Sequence, residues 1–242
     1  MSTVNVVVGA SGGIGAALVN ALASASPSSL VIAVGRQQCK ATAGNIRPYA
    51  IEDYSEPSIQ ICLNHIISEY GKLTTLICCV GTLHDDTKGI KPEKRLEDIN
   101  ANQLSHYFAV NTIIPSLWVK HAAEHFSDQG PAHCVVLSAR VGSISDNRVG
   151  GWYGYRASKA ALNMFIKTAQ VEYQRRAKNV ALVAYHPGTV DTALSKPFQR
   201  NVKPEKLFTP AFTAQQLLSF LPDLDPQQGP FYLDWQGQAI DW

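Results

Sequence analysis

Apolar runs alternate with amphipathic stretches along the whole chain, and this alternation constrains the fold more than any other feature. The apolar runs VNVVVG, SLVIAVG, LTTLICCVG, AHCVVLSA, NVALVAYHPG and GPFYLDW begin at residues 4, 29, 73, 132, 179 and 229. Helical patterns lie between them at 13–24, 56–71, 101–126, 157–177 and 213–221, and Pro115 predicts a bend in the third. Nearly continuous Val, Ile and Leu content is typical of parallel strands that are buried on both faces. We therefore predict an α/β fold with a doubly wound, mostly parallel sheet and helices on both faces.

Size and charge set the outer bounds of what the chain does. Its 242 residues suit a single domain over 1–242, and 45% hydrophobic content is typical of a folded chain. The net charge of +2 argues neither way about nucleic acid, but no basic run stands out, so no nucleic-acid partner is predicted. No run of 18 apolar residues and no signal-peptide pattern is present, so we expect no membrane partner and a cytoplasmic location.

The potential metal ligands do not form a recognisable set. The five cysteines have no metal-knuckle spacing, and their odd number favours buried reduced thiols over a disulfide framework. His84, Asp85 and Asp86 are adjacent but lack further spaced ligands, so no metal site is predicted.

A glycine-rich turn joins the first apolar run to the first helical pattern. Gly9, Gly13 and Gly15 in VVVGASGGIGAAL have the spacing G-x-x-x-G-x-G. A tight strand-to-helix turn needs residues that tolerate positive φ, and a diphosphate can approach closely only where side chains are missing. The amides and the positive end of the following helix then face the phosphates. With a strand before it and a helix after it, this turn predicts a nucleotide-binding Rossmann fold.

The end of the second apolar run bears on which nucleotide binds. Gly35 and Arg36 stand where a carboxylate would bind the ribose 2′-OH of NAD. An arginine suits the 2′-phosphate of NADP, so NADP(H) is the preferred cofactor, with NAD(H) and a merely solvated arginine as alternatives. Asp53, after a presumed further β-segment, either accepts a hydrogen bond from the adenine amino group or belongs to a helix N-terminal turn.

Tyr155 and Lys159 are four residues apart in the helical stretch YGYRASKAALN. That spacing puts both side chains on one face of a helix. A lysine ammonium beside a phenol lowers the pKa of the phenol, which can then act as a general acid or base. Because Y-x-x-x-K is common, the pair taken alone is more often an ordinary surface or half-buried pair than a reaction centre.

Taken together, these motifs resemble those of the short-chain dehydrogenase/reductase family, and the resemblance covers nearly the whole chain. GASGGIG resembles its cofactor motif, Asn111 in FAVNTIIP its helix asparagine, and HPGTVDT its P-G-x-V-x-T segment. The run SARVGSISDNRVGGWYGYRASKAALN is most similar to the C-factor-like and sniffer-like carbonyl reductase branch.

The resemblance implies a role for each matching residue. Tyr155 would exchange a proton with the carbonyl or alcohol oxygen, Lys159 would lower its pKa and bind the nicotinamide ribose, and Asn111 would hold a water in a proton relay. The residues expected to bind the cofactor are Gly9, Ser11, Gly13, Ile14, Gly15, Arg36, Asp53, Gly81, Tyr155, Lys159, Pro187, Gly188, Val190 and Thr192. The family also implies a homodimer or homotetramer formed through the long helices, and a substrate-covering loop at 193–210.

The chain departs from the family pattern in two places. Cysteines replace both asparagines of the usual N-N-A-G segment in CCVG at 78–81. Ala139 occupies the place of the catalytic serine when the residues are counted from the end of the strand. Counting back from the tyrosine selects Ser143, which we prefer, whereas Ser138 is one residue early and should point to the opposite face. A third alternative is that no serine serves, which would slow the reaction.

These features favour an NADP-dependent oxidoreductase that interconverts a carbonyl and a secondary alcohol. The alternative is a cofactor-binding signalling or regulatory protein with little or no turnover, because a fold does not by itself imply a function. Trp152, Tyr153 and Phe198 either line the substrate pocket or pack in the core. A lone histidine such as His186, at a strand end, is more often structural than part of a pocket.

Overall fold

Seven parallel strands form the central sheet, and two further short strands form a separate pair. The computed structural model of the protein describes residues 3–37, 39 and 41–242. The strands are β1 (Val4–Val8), β2 (Leu30–Gly35), β3 (Ile46–Ala50), β4 (Leu73–Cys78), β5 (Ala132–Leu137), β6 (Val180–His186), β7 (Thr189–Val190), β8 (Leu207–Phe208) and β9 (Phe231–Asp234).

Six α-helices accompany these strands within the described residues. They are α1 (Gly13–Ala25), α2 (Glu56–Tyr70), α3 (Ala101–Phe108), α4 (Ile114–Ala122), α5 (Tyr153–Arg176) and α6 (Pro210–Phe220). A π-helical segment, Ala109–Ile113, joins α3 to α4. None of the helices in the described part of the chain is long and apolar enough to cross a membrane.

The sheet has the strand order β3-β2-β1-β4-β5-β6-β9, with every neighbouring pair parallel. The order reverses between β1 and β4, so the connections leave those two strands in opposite directions. In open parallel sheets, ligands bind in the crevice at the carboxyl ends of the strands at such a reversal. The predicted doubly wound Rossmann fold is therefore confirmed.

Helices cover both faces of the sheet and bury alternate side chains of each strand. On one face, Val6 and Val8 of β1 belong to a core that includes residues of α2, α4 and α5. On the other face, Val7 packs in a second core with residues of α1 and α6. This division places α5 and its tyrosine on one side of the sheet edge and the start of α1 on the other.

Three elements differ from the sequence-based prediction. Strand β3 was only presumed, because its segment IRPYA mixes charge and proline; it is an edge strand with mostly exposed side chains, where a proline is tolerated. The single helix predicted over 101–126 is interrupted by the π-helical segment, and Pro115 lies in the first turn of α4, where its missing N–H is not needed. Helix α5 begins at Tyr153, four residues before its predicted start.

The segment 193–210, predicted as a loop, contains regular structure. Two 3-10 helices, Lys196–Asn201 and Pro204–Lys206, precede β8, which pairs with β7. The segment is therefore tied to the end of β6 through the β7–β8 pair.

Candidate active site

The glycine turn lies at the reversal of the sheet, against the ends of β2 and β4. Gly9 has φ of 79°, and a Cβ there would lie 3.3 Å from the backbone of Cys79 and Val80. The amides of Gly9 and Ala10 both donate to the carbonyl of Val34. These contacts fold the chain sharply at the carboxyl end of β1, as the spacing predicted.

Helix α1 starts so close to this turn that only glycine fits at its third position. A Cβ on Gly15 would lie 2.3 Å from the carbonyl oxygen of Gly9. The N-cap Gly12 supplies no side-chain acceptor, and the first turn, which includes Ile14, contains no acidic residue. The first amides of α1 are therefore left to an external anion, the arrangement that binds a diphosphate.

The segment 187–192, which follows β6, contacts this glycine turn directly, although the two are far apart in sequence. A Cβ on Gly13 would lie 2.8 Å from Cγ2 of Thr192. Gly188 has φ of 76°, and a Cβ there would lie 2.6 Å from the Phe208 ring. The Pro187 carbonyl accepts a hydrogen bond from the buried Thr213 hydroxyl, and Val190 is buried. Tertiary packing thus unites two segments that the family resemblance assigns to the cofactor site.

The residues predicted to select the cofactor lie at the other side of the turn. Arg36 follows β2, is exposed, and has its guanidinium 5.8 Å from the centre of the Tyr54 ring. A cavity of about 310 Å³ beside it is lined by Ala10, Ser11, Ala16, Val19, Asn20, Gln37, Cys39 and Thr42. Asp53 is exposed and accepts a hydrogen bond from the Ser55 amide, which fits the helix-turn alternative for this residue.

Tyr155 and Lys159 are both buried in the first turns of α5. The Lys159 Nζ lies 5.9 Å from the centre of the Tyr155 ring and donates a hydrogen bond to the Leu137 carbonyl at 2.7 Å. Burial raises the pKa of Tyr155, and nearby Tyr232 adds to the rise. Burial also lowers the pKa of Lys159 to about 8. Desolvation of the phenolate therefore sets the net direction of the Tyr155 shift, and the lowering of its pKa by Lys159 stays a prediction.

Asn111 lies in the π-helical segment and is fully buried. Its Oδ1 accepts from the Thr82 amide at 2.7 Å, and its Nδ2 donates to the Thr82 carbonyl and to the Ser158 hydroxyl. A Cβ on Gly81 would lie 3.4 Å from the Asn111 Oδ1 and 3.5 Å from the Lys159 Nζ. The Asn111 side chain therefore ties the segment after β4 to α5, and a Cβ at position 81 would be in ordinary van der Waals contact with both polar groups.

The three candidate positions for the catalytic hydroxyl have different surroundings. Ala139 belongs to the same small apolar cluster as Tyr155. The Ser138 hydroxyl donates to Asn163 at 2.6 Å, and the Ser143 hydroxyl accepts from the Asp146 amide at 3.2 Å. Both hydroxyls are thus engaged with other groups, while the position packed with the tyrosine has no hydroxyl.

His186 provides a pH-dependent prediction. Burial lowers its pKa to about 4; the Arg140 charge acts in the same direction and Asp234 opposes it. Between about pH 6.5 and pH 4 the unfolded chain binds a proton that the folded chain does not, so stability is lost as the pH falls. We expect this group to remove about 1 to 2 kcal/mol of unfolding free energy between pH 7 and pH 5.

Urea unfolding of His186→Gln at both pH values checks this expectation. The variant should lose less stability on acidification than the parent, whereas the exposed His65→Gln control should behave as the parent does. An unchanged acid loss in His186→Gln would show that the buried imidazole is not the cause.

Sequence reasoning missed Glu93 altogether. Its carboxylate is 1% exposed, and its Oε2 accepts from the Gly154 amide at the start of α5. The residue stands in the charged run KPEKRLED, which is typical of an exposed segment, so no sequence signal distinguished it.

No group of three or more potential metal ligands was found within the described residues.

Comparison with known proteins places this fold and site in a family. The family model for short chain dehydrogenases matches residues 3–203. The chain therefore belongs to the short-chain dehydrogenase family, a class of oxidoreductases, as the motifs predicted.

Individual relatives agree with the predicted branch. The chain is 29% identical to the C-signal protein of Myxococcus xanthus over 148 residues, which cover 61% of this chain and 83% of that one. It is similar in fold to the carbonyl reductase Sniffer of D. melanogaster, with a TM-score of 0.80, 20% identity and full coverage of both chains. An NADPH-bound carbonyl reductase from chicken fatty liver gives a TM-score of 0.83 at 22% identity, covering 100% of this chain and 94% of that one.

Proposed function

We propose that the protein is an NADP(H)-dependent reductase that interconverts a carbonyl and a secondary alcohol, with Tyr155 exchanging the proton. The observation that carries this proposal is the shared burial of Tyr155 and Lys159 in the first turns of α5, where a Cβ on Gly81 would lie 3.5 Å from the Lys159 Nζ. The raised pKa of Tyr155 keeps the phenol protonated at neutral pH, which suits a proton donor.

The residues present fit a bound dinucleotide. Gly13 and Gly15 begin α1, whose first turn has no side-chain cap and no acidic residue, so its amides are open to a diphosphate. Residues 187–192 would contact the nicotinamide end. When bound, the nicotinamide supplies or accepts the hydride. Lys159, fixed by the Leu137 carbonyl, would hold the ribose, and Tyr155 would orient the substrate oxygen.

The preference for NADP(H) over NAD(H) is supported by Arg36 and by the NADPH-bound relative described above. Arg36 is exposed at the carboxyl end of β2, next to the cavity at the start of α1, where a 2′-phosphate would accept its hydrogen bonds. For Asp53 to contact the adenine, its carboxylate would have to give up the hydrogen bond that it accepts from the Ser55 amide.

The experiment is a cofactor titration followed by NADPH consumption with a panel of carbonyl compounds. Tighter binding of NADPH than NADH, with turnover of at least one carbonyl, would support the proposal. Arg36→Ser should weaken NADPH binding much more than NADH binding, because only NADPH has the 2′-phosphate.

Ala139 favours a second candidate, a cofactor-binding regulatory protein with little turnover. The missing hydroxyl removes a donor that stabilises charge developing on the substrate oxygen. Cofactor binding without turnover of any panel member at any pH would favour this alternative.

Restoring the hydroxyl tests which position matters. We expect Ala139→Ser to raise kcat roughly tenfold or more, because a buried donor beside Tyr155 would stabilise the transition state. A change of less than about twofold in kcat in Ser143→Ala would show that this hydroxyl, which accepts from the Asp146 amide, has no part in catalysis. A loss of about 100-fold in Ser143→Ala would instead assign the catalytic hydroxyl to Ser143.

Assembly into a homodimer or homotetramer through the long helices is also proposed. Met164 and Val171 of α5 and Ile113 before α4 are large apolar side chains that are exposed in the single chain. Sedimentation of the purified protein tests this proposal, and a monomer would contradict it.

A further inference from the structure

A run of left-handed backbone leads into α5. Gly150, Gly151 and Trp152 have φ of 69°, 67° and 53°, and Trp152 is the non-glycine residue with positive φ in the part of the chain that the structure describes. A bulky residue adopts this conformation only where its surroundings impose it, and such positions cluster at functional sites. The turn is therefore held by something other than local preference.

Glu93 accepts two hydrogen bonds from this turn. Its backbone carbonyl accepts from the Trp152 amide at 2.5 Å, and its buried carboxylate accepts from the Gly154 amide at 3.1 Å. Helix α5 has no side-chain cap of its own, so the Glu93 carboxylate supplies both an acceptor and a negative charge at its positive end. The other carboxylate oxygen, Oε1, is buried without a hydrogen-bond partner among the described residues.

Arg156 also makes hydrogen bonds to this turn. Its guanidinium donates to the carbonyls of Gly150, Gly151 and Val141. The turn is therefore held on both sides of Trp152: Arg156 binds the carbonyls of the two preceding glycines, and the Glu93 carboxylate binds the amide of Gly154. The Trp152 amide itself donates to the Glu93 backbone carbonyl.

The turn places an aromatic wall, formed by the rings of Trp152 and Phe198, beside the proposed proton donor Tyr155. The Trp152 ring lies edge-on to Tyr155, with centroids 6.2 Å apart, and edge-on to Phe198 at 5.3 Å. The Phe198 ring also lies edge-on to His84. The His84 Nε2 lies 3.1 Å from the Ala193 carbonyl oxygen, so two contacts join His84 to the segment 193–210. The same hydrophobic cluster also contains Leu83, Ile90, Tyr107, Ala139, Val141 and Leu194.

We propose that Trp152 is a specificity-determining residue that selects carbonyl compounds with an aromatic ring attached to the carbonyl carbon, and that Glu93 is the positioning residue that holds it. This inference rests on the proposed reductase function. Aromatic rings pair favourably edge-to-face at such distances, beyond the burial of their area. A wall that is already fixed in place loses no further freedom when the substrate binds.

The test compares two ketones of nearly equal shape, acetophenone and cyclohexyl methyl ketone, by kcat/KM with NADPH. The parent protein should prefer the aromatic ketone. Trp152→Leu should lower that preference by about five- to tenfold, chiefly through KM, because the ring partner is lost. Trp152→Phe keeps a ring and should keep most of the preference, which separates recognition from loss of folding.

Glu93 is tested by the same ratio. Glu93→Gln retains an acceptor for the Gly154 amide and should retain the preference, whereas Glu93→Ala should lose it and also lower kcat. Glu97→Gln, an exposed carboxylate in the same segment, is the matched control and should match the parent.

The outcomes separate this inference from the function beneath it. Turnover of both ketones with no preference for the aromatic one, or a preference unchanged in Trp152→Leu, would overturn the inference and leave the reductase standing. An unchanged ratio in Glu93→Ala would overturn the positioning role. Failure to turn over any carbonyl would remove the proposed function, and the inference with it.

Discussion

Tyr155→Phe should lower kcat for carbonyl reduction by about 10²- to 10⁴-fold, the range contributed by a positioned general acid. The variant removes one hydroxyl and leaves the ring in its contacts with Trp152 and Tyr107. Because the hydroxyl has no described hydrogen bond to another residue of the chain, the fold should lose little stability.

Single-turnover kinetics with NADPH, combined with urea unfolding, distinguish a chemical effect from a structural one. We expect cofactor affinity to change by less than about threefold and the unfolding midpoint to stay near that of the parent. Tyr70→Phe, a half-buried phenol on α2, serves as the matched control and should retain full activity. Retained turnover in Tyr155→Phe would mean that another group supplies the proton.

Gly15→Ala should abolish measurable cofactor binding and destabilise the fold. The added Cβ would lie 2.3 Å from the Gly9 carbonyl and 2.9 Å from the backbone of Ala10, and neither contact involves a flexible side chain that can move away. Overpacking of this kind costs about 1 to 3 kcal/mol, and relief of the collision would displace the start of α1 from the turn. The amides expected to face the diphosphate would then lose their alignment.

Gly44→Ala is the control for this substitution, because a Cβ there meets nothing within 4 Å and the residue has no positive φ. Isothermal titration with NADPH and thermal unfolding of both variants give the comparison. Gly15→Ala with parental affinity would show that the turn does not form the diphosphate site.

The sequence was sufficient for features that depend on local periodicity. The alternation of apolar runs predicted the parallel sheet, because strands buried on both faces need continuous apolar side chains. The Gly9–Gly15 turn was placed correctly between β1 and α1, and the spacing of Tyr155 and Lys159 correctly put them on one helix. The weakly patterned edge strand β3 was only presumed and the π-helical interruption before α4 was missed, because neither leaves a clear apolar period.

Only the tertiary structure decided how distant residues meet. Gly13 packs on Thr192, Asn111 holds Thr82, and the buried Glu93 caps α5, and none of these pairs is close in sequence. The direction of the pKa shift of Tyr155 was likewise beyond the sequence, because it follows from burial on the sheet edge more than from the neighbouring lysine.

The sequence alone therefore determined the family and the fold, and it supplied the residues that we propose bear the chemistry, since these depend on residue type and on short spacings. The tertiary structure decided which groups are desolvated, which partners they have, and that Ala139, not a serine, packs with Tyr155. Those properties arise from the packing of elements that are far apart along the chain. Burial sets the strength of every charge and hydrogen bond at the site, and residues become buried only when those elements pack together.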